Sequence, residues 1–107
     1  MSTRYVGLLM YDFPMRTDEE IREYNHFRKN IIRKGYYQLQ ESVYIMNSNT
    51  KERIETVEKQ LSLIIPKNSS VRTLLLTEDQ FKKMKIISGE MTKGEVIARN
   101  EKRLLEY

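Results

Sequence analysis

Apolar positions come in short blocks whose spacing changes along the chain. Residues 4–12, RYVGLLMYD, form a run rich in aromatic and branched side chains that Phe13-Pro14 closes, the pattern of a central strand buried on both faces. Thr17 and Glu20 then make a capping box, and Asp18, Glu19 and Glu20 lie where a helix dipole favours negative charge. A helix therefore begins near Asp18, and Gly35 ends it. Within it Ile21, Tyr24, Phe27, Arg28, Ile31 and Ile32 fall inside an arc of about 140° at about 100° per residue, a stripe wide enough to pack on a sheet. Residues 36–39 and 42–46 read as two short strands, with Gln40 and Glu41 between them marking a turn or bulge. Asn49 and Glu52 form another capping box, Ile54, Val57, Leu61, Ile64 and Ile65 share one helical face, and Pro66 closes that element. Ser70 to Thr77 is a further strand, Thr77 and Gln80 cap a helical turn, and residues 84–88 read as a last short strand before Gly89.

The order strand, helix, strand, strand, helix, strand, with an extra C-terminal strand, predicts an α+β fold: a ferredoxin-like βαββαβ unit with an antiparallel sheet. Residues 1–89 form that domain. Residues 90–107, evenly charged around Val96, Ile97, Leu104 and Leu105, form a loosely attached tail. The first strand turns Val6, Leu8 and Met10 to one side and Tyr5, Leu9 and Tyr11 to the other, so both faces of the sheet are apolar. Two helices cover only one face. The other needs a partner, and a homodimer packed sheet to sheet is the simplest one.

Length and composition narrow the chemistry. A chain of 107 residues accommodates one domain, and its lack of Cys excludes disulfide frameworks, thiolate zinc sites and cysteine nucleophiles. A single His removes poly-histidine metal sites. No apolar run is long enough for a membrane span or a signal peptide, which predicts a cytoplasmic protein without a membrane partner. The net charge of +4 is compatible with a polyanionic partner without requiring one.

Three features carry candidate chemistry. Asp12, at the end of the central strand, either holds the turn that follows or ligates a metal; Mg²⁺ takes one or two carboxylates with several waters, and a two-fold axis would supply a second Asp12. Arg22, His26, Lys29 and Arg33 recur on the helix side opposite the apolar stripe, with Arg16 in the preceding loop. Such a ridge is either a solvated helix face or a row of phosphate contacts. His26 lacks the nucleophile elbow and glycine-rich oxyanion loop of a hydrolase triad, and reads as a surface residue. The seven tyrosines lack the glycine-flanked aromatic motif of sheet-based RNA binders, so Tyr5, Tyr11 and Tyr44 read as core and dimer packing.

Several motifs recur together: Tyr11-Asp12-Phe13-Pro14, Phe27-Arg28-Lys29, Gly35-Tyr36-Tyr37, Gln40 with Ser42-Val43-Tyr44, and Thr77-Glu78-Asp79-Gln80-Phe81. Across about residues 4–89 the chain thereby resembles the small CRISPR-associated (Cas) endonuclease-like protein that is the second core component of the spacer-acquisition machinery. The Phe-Pro turn and the Phe-Arg-Lys segment look most like the branch found beside type II effector systems. The resemblance implies a ferredoxin-like homodimer that bridges two dimers of the CRISPR integrase and holds double-stranded DNA. It also implies Mg²⁺-dependent endonuclease activity on RNA or DNA, with Asp12 as catalytic metal ligand. Gln38 departs from the family pattern, where a basic residue is common, and so does Glu41, where an aromatic residue often precedes Ser-Val. Both departures weaken a nuclease site more than a scaffold. The rival reading is a ferredoxin-like RNA-binding or regulatory module that uses Arg16, Arg22, Lys29 and Arg33 without metal or catalysis.

Overall fold

The computed structural model describes residues 4–91. Its elements are β1 (Tyr5–Asp12), α1 (Asp18–Arg33), β2 (Tyr37–Gln40), β3 (Val43–Ser48), α2 (Lys51–Ser62), β4 (Ser70–Thr77) and a short α3 (Glu78–Lys82). The four strands form one antiparallel sheet in the order β2-β3-β1-β4, the ferredoxin-like arrangement read from the sequence. β1 is paired along both edges, and the β2–β3 register shifts between Gln38 and Gln40, just before the turn at Glu41 and Ser42.

The helix starts follow local chemistry. At α1 the Thr17 hydroxyl accepts from the Glu20 N–H at 3.1 Å, and the Glu20 carboxylate accepts from the Thr17 N–H at 3.0 Å. The same reciprocal pair recurs between Thr17's counterpart Thr77 and Gln80 at α3. At α2 the cap is Thr50 instead of Asn49: its hydroxyl accepts from the Arg53 N–H at 3.3 Å, so the Asn49–Glu52 box expected from the sequence is displaced by one residue. α2 also stops at Ser62, before Ile64 and Ile65, because Pro66 disfavours helical backbone in the residue before it and the chain tightens into i→i+3 bonds at Leu63 and Ile64.

One face of the sheet meets α1 and α2 through Leu9, Tyr11, Tyr44 and Met46 packed on Phe27, Ile31, Ile54, Val57 and Leu61. α1 buries a narrower stripe than its sequence suggests: Phe27 and Ile31 are enclosed, whereas Ile21, Ile32 and Arg28 are exposed. Of the core and dimer roles read for Tyr5, Tyr11 and Tyr44, the structure shows the core one: Tyr11 and Tyr44 are buried in this helix-side core and Tyr5 packs against it. On the second face, Phe81 of α3 packs with Val6, Leu8 and Ile45, so the chain covers part of that face itself. The expected strand over 84–88 does not form. Phe81 anchors α3 on the sheet face, and the residues that follow pair with neither open edge of the sheet, β2 or β4; an apolar pattern without a ladder partner does not make a strand. Leu74 on β4 and Ile86 and Ile87 beyond α3 remain exposed. The tail read over 90–107 lies, beyond residue 91, outside the described residues.

α2 comes close to the sheet at Gly7, where an added Cβ would come within 2.6 Å of Ile54 Cγ2. Gly7→Ala should therefore cost about 1–3 kcal/mol in denaturant unfolding through overpacking. Ile54→Leu in the same chain should recover part of that loss, because Leu has no branch at Cβ. An unchanged midpoint in Gly7→Ala would show that α2 is free to move away.

Candidate functional site

Chain alternation along β1 places Asp12 on the same side as Val6, Leu8 and Met10, opposite the helices, and its side chain is exposed. In register it faces Ser70 of β4. Behind it, on the helix side, the rings of Tyr11, Phe13, Tyr24, Phe27 and Tyr44 pack together, with Phe13 4.8 Å from Tyr11 and 5.0 Å from Phe27. This cluster fixes the Phe13-Pro14 turn and therefore the end of β1. The Tyr11 hydroxyl donates to the Tyr24 hydroxyl at 3.2 Å. Burial, followed by its bonds to Tyr24 and Tyr44, pushes the ionisation of Tyr11 well above the ordinary phenol range, so it stays neutral beside Asp12 and supplies no base.

The donor set tests the implied metal directly. Among the described residues no three His, Cys, Asp or Glu side chains are grouped closely enough to hold a metal ion. Asp12 at the end of β1 suits Mg²⁺ as a single carboxylate ligand among waters, and a second copy across a two-fold axis would add its own Asp12.

The cations lie in the other layer. Arg22, His26, Lys29 and Arg33 are all exposed on α1, on the helix side facing away from the sheet, and Arg16 is exposed in the loop before the helix. Arg22, Lys29 and Arg33 fall within an arc of about 40° and extend over about 16 Å of helix axis. Their charge is uneven along that line. Arg22 and His26 line an open groove of about 500 Å³ together with Glu19, Glu23, Ile64 and Pro66, so two carboxylates offset the N-terminal end of the ridge. Lys29 and Arg33 stand clear of that groove, and Arg33 occupies the last helical turn. The structure thus brings the ridge residues together and holds Asp12 apart from them, across the sheet.

One residue was misread from sequence. Arg28, counted with the apolar stripe, is exposed, and its Nε donates to the Tyr44 hydroxyl at 3.0 Å. Its angle falls inside the stripe, so the one local signal was its charge among apolar neighbours. Gln38, standing opposite Tyr44 in the β2–β3 register, donates through Nε2 to the Glu41 carbonyl at 3.3 Å, so the two departures from the family pattern, one in β2 and one in the turn after it, are joined by a hydrogen bond.

Comparisons with known proteins agree with one another. A family profile described as "CRISPR associated protein Cas2" matches residues 4–84. A protein of Ligilactobacillus salivarius named "CRISPR-associated endoribonuclease Cas2" is 36% identical over 86 residues, which cover 80% of this chain and 85% of that protein. A Campylobacter jejuni protein of the same name is 39% identical over 94 residues, covering 84% of this chain and 63% of the longer relative. Among solved structures, that of Streptococcus pyogenes Cas2 at pH 6.5 superposes with a TM-score of 0.61 at 24% identity, over 78% of this chain and 99% of the other, and shows the same fold.

Proposed function

The chain belongs to the CRISPR-associated Cas2 family, and on that premise we propose that it acts in spacer acquisition as a homodimer that holds double-stranded DNA along α1 and bridges two integrase dimers. The observation that carries the proposal is the row of exposed cations on α1, with Lys29 and Arg33 clear of the groove that Glu19 and Glu23 line, lying on the outer layer of a sheet whose other face still exposes Leu74. Cations in a line without base-reading side chains fit a phosphate backbone and do not select sequence. The second face is then left to the partner copy.

Hydrolysis is a separate proposal. The curated relatives are named endoribonucleases, which favours an RNA phosphodiester as the substrate of any Mg²⁺-dependent cleavage by this chain. Asp12 would hold the metal, which supplies a polarised phosphate oxygen or an activated water. Because Asp12 lies on the face proposed for dimer packing, the paired site would form between the copies, away from the ridges.

Duplex binding should weaken steeply with salt. Replacing Lys29 and Arg33 together by Gln should flatten the log–log salt slope by about two units and lower affinity equally for unrelated sequences. An unchanged slope in that folded variant would make the ridge a solvated helix face. Preference for single-stranded RNA over duplex DNA at every salt concentration would favour the rival RNA-binding module.

A further inference from the structure

We propose that Arg28, aimed by the Tyr44 hydroxyl, is a preorganised phosphate-binding point that carries the track of Lys29 and Arg33 around the flank of α1 toward β3. The inference rests on the duplex-binding reading and adds to it a residue of a different kind. Lys29 and Arg33 are exposed side chains that must be ordered when they meet a phosphate, at a cost in rotamer freedom. Arg28 is exposed as well, but its Nε already donates to the Tyr44 hydroxyl at 3.0 Å.

The acceptor end of that bond is fixed. Tyr44 is fully buried on β3, and its ring stacks on Tyr11 with centroids 5.8 Å apart. With Nε engaged, the N–H donors on the two terminal nitrogens of Arg28 are left for another acceptor. The ion pairs Arg4–Glu78 and Lys82–Glu78 lie elsewhere, and among the described residues no carboxylate is paired with Arg28. A neutral hydroxyl orients the guanidinium without cancelling its charge. A planar cation with both terminal nitrogens free suits the bidentate geometry of a phosphate, which a lysine ammonium cannot reproduce. Arg28 and Lys29 are consecutive and point about 100° apart around the helix, so a nucleic-acid backbone crossing α1 at Lys29 meets Arg28 on its β3 side.

The competing role is structural: Arg28 satisfies the buried Tyr44 hydroxyl and does nothing more. Titrations of a blunt, random-sequence DNA duplex against the full chain, over a range of salt concentrations and with thermal melts of each variant, separate the two. Arg28→Gln should lower affinity about three- to tenfold and reduce the salt slope by about one unit. Arg28→Lys should keep the slope and lose part of the affinity. Tyr44→Phe, which removes only the orienting hydroxyl, should keep the slope and weaken binding several-fold. If Arg28→Gln does not fold, the latter two variants carry the test. Wild-type affinity and slope in the folded Arg28 and Tyr44 variants, beside a weakened Lys29/Arg33 double variant, would overturn this proposal alone. Failure of the wild-type chain to bind duplex at all would overturn the binding reading beneath it.

Discussion

Leu74→Lys should turn a homodimer of about 26 kDa into a folded monomer near the chain mass of 12.9 kDa. Leu74 lies on β4, an edge strand, with half its surface exposed on the face turned away from α1 and α2. In a two-fold pair each copy contributes this side chain. Burying the exposed half of each leucine is worth about 1 kcal/mol per copy, so losing both should raise the dimer dissociation constant by about thirtyfold before the desolvation of two lysines is counted. The single-chain fold should be nearly unaffected, because the helix-side core around Phe27, Ile31 and Ile54 makes no use of Leu74. Sedimentation at low micromolar concentration reads both species. A wild-type chain that sediments as a stable monomer would remove the partner proposed for this face, and an unchanged dimer in Leu74→Lys would place the interface elsewhere.

Asp12→Ala should abolish Mg²⁺-dependent cleavage while leaving spacer integration with the partner integrase largely intact. Hydrolysis needs a carboxylate at the metal, whereas bridging and duplex holding depend on packed surfaces and on cations in the other layer. The geometry supports the separation: Asp12 projects from the face opposite α1, and the aromatic cluster that fixes its turn is built from Tyr11, Phe13, Tyr24 and Phe27 without it. The substitution should cost no more than about 1 kcal/mol of stability, checked by melting the same preparation used in both assays. A folded variant that loses integration as completely as cleavage would make Asp12 chemistry part of the pathway. A variant that still cleaves would free Asp12 from the metal.

The parts of the fold legible in the sequence are those whose causes lie within a few residues. The Thr17–Glu20 and Thr77–Gln80 boxes each close within four residues, and both form. The alternating faces of β1 follow from strand geometry and hold throughout. Features decided by distant partners were not legible. Residues 84–88 carry a strand pattern but have no ladder neighbour in their own chain. Phe81 matched a family motif, and nothing local showed that it would close over Val6 and Ile45. Arg28 fell in the stripe by angle, and only the position of Tyr44 on β3 decides where its guanidinium points. At the candidate site the same division holds: the exposed row on α1 was readable from periodicity, whereas the carboxylates of Glu19 and Glu23 beside Arg22 matter only once Ile64 and Pro66 close the groove.

The most direct test of the central claim is the solution mass of the complex that this chain forms with the integrase encoded beside a CRISPR array, measured by light scattering on a sizing column with duplex DNA present. The account predicts one species containing two copies of this chain and two integrase dimers, which is lost in Leu74→Lys and retained in Asp12→Ala. Elution of the wild-type chain apart from the integrase, with or without duplex, would contradict it.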